Sequence, residues 1–299
     1  MRRFLGLLAA VPLLLVGCGG AGSTAASPSA ASVPKLSVAL PPEIQQKGKL
    51  NVGVKCDYPP FGFADESGKT VGYEIDLVHR MALFAFNDEN AVSLQCVVSA
   101  NRIQFLTTNR VDLLVATITY TPDRAKTIAF SDPYFSAAGR MLVPKDSTVK
   151  EAKDLAGKTV ITTKGSVYVT YFQKCVPQAQ VLQFDQTADS LAALTQGRGQ
   201  AFMQDDTLLV DLAKKNQNLK LVGSGVAQGP WGMGIRLEDT AFKNWVNAAL
   251  AEMQKEDFNW KTFQKWVTDK ETQQRFAKVV PRPNQSLKYG EGPVTDCTS

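Results

Sequence analysis

The side chains able to do chemistry are unevenly supplied in this sequence. Among 299 residues there is a single histidine, His79, and five cysteines, Cys18, Cys56, Cys96, Cys175 and Cys297. A lone imidazole on the helical run after Asp76 reads as a solvated or packing residue, because no Ser-His-Asp pattern accompanies it. The cysteines lack the short paired spacings of a zinc site, so no metal and no cofactor are expected. Charged and hydroxyl groups remain. Arg124 follows the turn residues Thr121-Pro122-Asp123 and carries a planar fork that matches a carboxylate. Alone, it would read as a surface arginine. Ser166 follows Thr163-Lys164-Gly165 and precedes a helical pattern, where it can act as an N-cap with amides turned toward an anion. Asp205 ends the strand-like run Ala201-Gln204 and Asp206 comes next. Alternation along a strand cannot aim both carboxylates at one place, so one of the two is a candidate and the other is free to cap the next helix.

The chain that must position these groups has 33 Lys+Arg, 28 Asp+Glu and 44 % hydrophobic residues. A mean hydropathy of -0.12 is too apolar for a disordered chain and too polar for a multispanning membrane protein. The charge of +5 is mild, and it falls to +3 when Arg2 and Arg3 are removed with a leader. No basic run forms a phosphate-tracking stripe, so nucleic acid is not an expected partner. Met-Arg-Arg-Phe and the apolar run Leu5 to Val16 form a signal segment too short to span a bilayer. It ends in Leu15-Val16-Gly17-Cys18, which resembles the lipobox of bacterial lipoproteins. That resemblance implies a signal peptide over 1–17, lipidation of Cys18, and an exported chain held to the outer face of the cytoplasmic membrane or in the periplasm. Residues 18–43 read as lipid anchor and flexible tether, because Gly, Ala, Ser, Thr and Pro dominate to Pro42 and Lys35 is the lone charge. Removing Cys18 leaves four cysteines, enough for two disulfides in three possible pairings. Cys56 and Cys96 lie by neighbouring strand-like runs, and Cys297 is placed to staple the C-terminal tail near Cys175; free buried thiols are the alternative.

Strand-like and helix-period segments alternate through the body. Leu50-Val54, Ser93-Val98 and Leu113-Thr117 read as strands, with helices over Ile75-Phe86 and Ile103-Thr108. This order predicts a parallel sheet covered by helices. After Arg140-Pro144 a second set begins: strands at Val160-Thr162, Val181-Phe184 and Ala201-Gln204, with helices opening near Ser166, Ala188 and Asp205. Phe242, Trp245, Val246, Ala249, Leu250 and Met253 then share one helical face, and Trp260, Phe263 and Val267 repeat it. This third section is expected to cover the first lobe.

Five motifs carry a family resemblance. They are Val54-Lys55-Cys56-Asp57-Tyr58-Pro59-Pro60-Phe61-Gly62-Phe63 with Val71-Gly72-Tyr73-Glu74-Ile75-Asp76-Leu77, then Thr119-Tyr120-Thr121-Pro122-Asp123-Arg124, Phe130-Ser131-Asp132-Pro133-Tyr134, Asp154-Leu155-Ala156-Gly157-Lys158 and Ala201-Phe202-Met203-Gln204-Asp205-Asp206. In this order they resemble the polar amino-acid-binding proteins of ABC importers, solute-binding protein family 3, over roughly residues 44–280. The resemblance implies an α/β fold of two lobes, the type II periplasmic-binding-protein-like fold, joined by two crossover hinge strands. Mapped here, lobe 1 is 44–142 plus 231–280, lobe 2 is 143–230, and 281–299 is a C-terminal tail. It implies a monomeric binding protein, not an enzyme, that hands an amino acid to an ABC permease.

A free amino acid presents a carboxylate, an ammonium and a side chain, and a cleft that desolvates it must answer all three. By resemblance Arg124 takes the α-carboxylate, with Thr119 as its hydroxyl partner, Thr117 nearby and Ser166 adding amides from the second lobe. Asp205 takes the ammonium, and Tyr58 stacks on the aliphatic part. Lys55 and the Ser99-Ala100-Asn101-Arg102 segment resemble positions that carry bases in glutamate- and aspartate-binding members, so Ser99, Arg102 and Lys55 are expected to select an acidic side chain. Glutamine or another polar amino acid is the alternative ligand, and a cyclic-acid dehydratase of the same fold is the alternative activity.

Overall fold

The computed structural model describes residues 33–290 and Cys297. The leader, Cys18 and the tether as far as residue 32 lie outside the described residues. Strand β1 (Leu50–Val54) is apolar and buried, and it lies between two parallel neighbours, β5 (Val92–Cys96) and β6 (Leu113–Val115). Helix α2 (Tyr73–Phe86) covers this sheet with Ile75, Leu77, Val78, Met81 and Ala82. It stops where Asn87 takes a left-handed φ of 55° and returns its N–H to Leu83. Strands β7 (Ile128–Phe130) and β13 (Gly234–Arg236) complete the first sheet in the order β5-β1-β6-β13-β7, with β13 antiparallel to both its neighbours. A small antiparallel ribbon, β2 (Asp57–Tyr58), β3 (Gly62–Ala64) and β4 (Thr70–Val71), stands between β1 and α2; it was not expected from periodicity, because its strands are too short to show any.

The second sheet has the order β10-β9-β11-β8-β12, built from β8 (Phe135–Pro144), β9 (Thr159–Thr163), β10 (Gln180–Phe184), β11 (Ala201–Asp205) and β12 (Leu219–Trp231). Its first three strands run parallel, and helices α5 (Val167–Cys175), α6 (Thr187–Thr195) and α7 (Asp206–Lys215) connect them or follow them. The fold is thus two α/β lobes, one on each sheet. The chain leaves the first through β8 and returns through β12, and these two long strands pair antiparallel.

Aromatic packing pins the crossing. Phe61 lies 4.9 Å from both Phe135 and Trp231, ring centre to centre, and Phe135 lies 5.8 Å from Phe263. Each such fully buried ring contributes about 1.5–3 kcal/mol, so the hinge ends sit in a firm core. Phe263 belongs to α9 (Phe258–Trp266), which follows α8 (Thr240–Lys255). Asp239 caps α8 by accepting from Phe242 N, and α8 buries Phe242, Trp245, Val246, Ala249, Leu250 and Met253. Helix α10 (Lys270–Phe276) completes the returning section; the short helices α1 (Pro42–Gln45), α3 (Arg102–Thr107) and α4 (Pro122–Ala125) lie in the first lobe, and one 3-10 turn, Ala152–Leu155, in the second.

Three expectations need correction. The flexible tether was drawn to residue 43, yet Leu36, Val38 and Leu40 pack against the core, because their alternation gives one apolar face. The strand drawn through Thr117 ends at Val115, and Thr117 has φ 47°, a left-handed conformation unusual for a β-branched residue. The tail drawn from 281 is docked: Arg282 pairs with Asp257 at 2.7 Å, and Tyr289 stacks 4.4 Å from Tyr120 and donates to Ser131 O. Disulfides join Cys56 to Cys96 and Cys175 to Cys297.

Candidate binding cleft

Asp205 ends β11 at the face where the two lobes meet. It is 5 % exposed. Its Oδ2 accepts from the hydroxyl of Tyr58, on the first lobe, and its Oδ1 from Tyr168 at 2.6 Å, on the second. Burial raises the Asp205 pKa, and the two tyrosines, Arg102 and Arg124 oppose that rise. The same burial, with Asp205 beside them, raises both tyrosines. Asp206, one residue on, turns away from the cleft and accepts from Ala138 N at 3.3 Å. Gln204 holds the strand end in place, donating to Thr163 Oγ1 at 2.7 Å and accepting from Asp205 N.

Facing Asp205 is the first lobe's Arg102, 3 % exposed. Its Nη1 donates to the carbonyls of Ala116 at 2.5 Å and Thr117 at 3.2 Å, and its buried Nε has no partner among the described residues. Burial lowers the Arg102 pKa against the pull of Asp205, Tyr134 and Glu74. Behind it Glu74 is fully buried; its Oε1 accepts from Thr117 N at 2.7 Å and from the Tyr134 hydroxyl, while Oε2 is unpartnered. Burial lifts the Glu74 carboxyl to about 7, despite those bonds and the charges of Arg102 and Lys55. The strained backbone at Thr117 is therefore gripped twice, at its amide by Glu74 and at its carbonyl by Arg102.

Arg124 spans the two lobes. Thr121 caps its short helix by accepting from Arg124 N, which aims the side chain back at the cleft. Nη1 donates to Thr119 O at 2.7 Å in the first lobe, and Nη2 to Gly165 O at 2.8 Å in the second. Burial and the neighbouring Arg102 push its pKa down to about 9, so it stays charged at neutral pH. Gly165 has φ +77°, and a Cβ there would sit 2.8 Å from Ser99 O and from Ala100 Cα. Only glycine allows the lobes to approach this closely. A third bridge runs from Thr187 N to Asp57 Oδ2 at 2.9 Å.

Tyr58, Ser99, Arg102, Thr117, Thr119, Ser166 and Asp205 thus converge on one cavity, and Val167, Tyr168 and Gln204 complete its wall. The cavity is about 10 Å³ in this closed arrangement, on the scale of a single water, so an amino acid enters only when the lobes part. Lys55 and Arg124 are not on that wall. Lys55 was expected in the side-chain subsite. It is instead fully buried behind Tyr58, with Nζ 3.0 Å from Asp57 Oδ1, because a desolvated ammonium needs its own counter-charge. Ser166 occupies the N-cap position of α5, but its hydroxyl pairs with Thr162 Oγ1 at 3.1 Å rather than capping the helix. Tyr58 presents its hydroxyl to Asp205, where stacking on an aliphatic chain was expected. Tyr168, Gln204 and Glu74 were not singled out. Tyr168, two residues past Ser166, was within reach of the helix-start argument; Glu74 reads from sequence as an ordinary first-turn acid.

Residues 50–269 match the family model described as bacterial extracellular solute-binding proteins, family 3. The chain is 36 % identical over 228 residues to a glutamine-binding protein of Geobacillus stearothermophilus, covering 75 % of this chain and 87 % of that one. It is 29 % identical over 258 residues to a glutamate/aspartate import solute-binding protein of Escherichia coli K12, covering 83 % and 82 %. A solved solute receptor for L-cysteine of Neisseria gonorrhoeae superposes with a TM-score of 0.73 at 30 % identity, covering 75 % of this chain and 92 % of that chain. With this cleft between these lobes, the chain belongs to the bacterial extracellular solute-binding proteins of family 3, which are receptors and not enzymes.

Proposed function

We propose that this protein captures an acidic amino acid, glutamate or aspartate, between its lobes and delivers it to an ABC permease outside the cytoplasm, tethered through lipidated Cys18. The charge inventory of the cleft carries the ligand assignment: two guanidiniums, Arg102 and Arg124, face one aspartate, Asp205. Asp205 answers an ammonium and Arg124 an α-carboxylate. Arg102 is then left over, and a second carboxylate balances it. Lys55 does not change the sum, since Asp57 neutralises it. Contacts from both lobes exist together only when they close, so ligand shifts the hinge toward the closed form. A preference of about 5.5 kcal/mol turns a 1:99 bias into 99:1.

Glutamine is the second reading. Glu74 titrates near neutrality beside Arg102, and in its ionised form it takes up the surplus charge. Two of the relatives, from Geobacillus stearothermophilus and Bacillus subtilis, are named as glutamine-binding. Isothermal titration of the chain with all twenty amino acids separates the readings. The expected result is tightest binding of glutamate or aspartate without conversion. Preference for glutamine selects the second reading, and silence toward every amino acid rejects both. Lipidation is tested by fatty-acid labelling, which Cys18→Ala should abolish.

A further inference from the structure

On the side of the crossover strands away from the cleft is a second, larger cavity of about 410 Å³. Four sections of chain build it: β8 leaving the first lobe, β12 returning to it, the start of α7 at Asp206, and α10 with the residues after it. Between the pairs Val222–Met141 and Val226–Gly139, three residues of β12 lie opposite the single residue Arg140. Gly223 and Gly225 make this bulge possible with φ of 93° and 98°. Arg140 fills part of the gap, its Nε donating to Gly223 O at 2.8 Å. Arg140 lines the cavity, as does Arg275 of α10, which among the described residues has one ion pair, to Glu271, at a loose 3.6 Å.

Two arginines, one on β8 and one on α10, therefore line one space. Burial, and then the charge of Arg275, lower the Arg140 pKa, while Asp206 and Glu151 oppose this. Asp206 also borders the space, and burial raises its carboxyl to about 7, so near neutral pH it cancels only part of the arginine charge. A volume in the range of small-ligand sites, lined by a repelling pair of planar forks, is built for an acceptor that bridges them.

We infer that this hinge-side cavity is an accessory site for a small oxyanion, a carboxylate or a phosphate, bridged between Arg140 and Arg275. Arg140 stands on a crossover strand and Arg275 on α10, so an anion held by both ties these two elements together. Anything that binds one arrangement better shifts the hinge by its differential affinity, and amino-acid affinity must respond reciprocally.

The test is titration of the full chain with inorganic phosphate and, separately, with succinate, followed by hydrogen exchange in the presence of whichever binds. Expected is millimolar or tighter binding of at least one anion, with protection concentrated in Gly223–Gln228 and α10. Arg275→Gln, on a half-exposed side chain, should weaken that binding at least about tenfold, the worth of one charge-assisted hydrogen bond. The stronger arm identifies the anion class. No binding in either arm overturns the inference, as does protection confined to the segments around Arg102, Arg124 and Ser166, or an Arg275→Gln affinity equal to wild type. The titrations are run without added amino acid, so the outcome does not depend on which amino acid the cleft takes.

Discussion

Asp205 and Asp206 are adjacent where β11, the middle strand of the second sheet, passes into α7, yet they line different cavities. Asp205 is met by side chains from both lobes, two tyrosine hydroxyls and the field of two arginines. Asp206 is met chiefly by backbone amides of its own lobe and by the more distant Arg140. The difference teaches what makes a carboxylate ready for a ligand. Hydroxyls and guanidiniums on another rigid body can withdraw or re-form as that body moves, whereas amides of the same sheet cannot. Of the two, Asp205 alone accepts from a side chain of the other lobe, the Tyr58 hydroxyl.

The largest effect that would break this contrast is at the bridging guanidinium. Arg124→Ala removes both the α-carboxylate fork and the Gly165 contact, and should cost about 3–5 kcal/mol of amino-acid affinity, more than a hundredfold, by isothermal titration. Lys126→Ala, two residues on and paired with Asp123 in solvent, should change it less than about threefold. Equal losses in the two variants would remove Arg124 from the cleft's machinery.

Next in size is a pH effect shared by the two sides. Glu74 is raised from 4.5 to about 7 and Asp206 from 3.8 to about 7, so the fold takes up protons that the unfolded chain has released in that window. Stability must then fall as pH rises from about 4 through about 7, by on the order of 3 kcal/mol per group. Scanning calorimetry should show the slope reduced in Glu74→Gln, which keeps the acceptor for Thr117 and Tyr134, and reduced separately in Asp206→Asn. An unchanged slope in Glu74→Gln means that the carboxyl is ionised in the fold and neutralises Arg102.

Smaller, and specific to the cleft, is selectivity. Arg102→Ala should lower the glutamate-to-glutamine affinity ratio about tenfold, one charge-assisted hydrogen bond. If the ratio is unmoved, Arg102 is a brace for the Ala116-Thr117 carbonyls and nothing more. Smallest is Tyr58→Phe, which removes one of the two hydroxyls on Asp205 and should shift amino-acid affinity about fivefold.

Much of this arrangement was legible because local signals and order along the chain agree. The helical face of Phe242, Trp245 and Val246 and the apolar strand run leading to Asp205 needed no tertiary information. Asp205 was singled out over Asp206 by the family resemblance; the helix cap expected of Asp206 is not seen, since Asp205 itself stands at the N-cap position and Asp206 opens the helix. Lys55 was misplaced for a physical reason: its neighbour Asp57 lies on the next short strand, and nothing local says that burial would force the two together. Glu74 was passed over because acids in a first helical turn are ordinary. The bulge opposite Arg140 left no mark beyond two glycines, and the hinge cavity needed α10, more than a hundred residues away in sequence.

The central claim is that Asp205 holds the ammonium of an amino acid whose α-carboxylate lies on Arg124. Its most direct test compares glutamate with glutarate, the same dicarboxylate without the ammonium, by titration of wild type and Asp205→Asn. The account predicts that wild type prefers glutamate by more than about a hundredfold and that the substitution collapses most of this preference. Glutarate bound as tightly as glutamate by wild type, or an undiminished preference in Asp205→Asn, would contradict it.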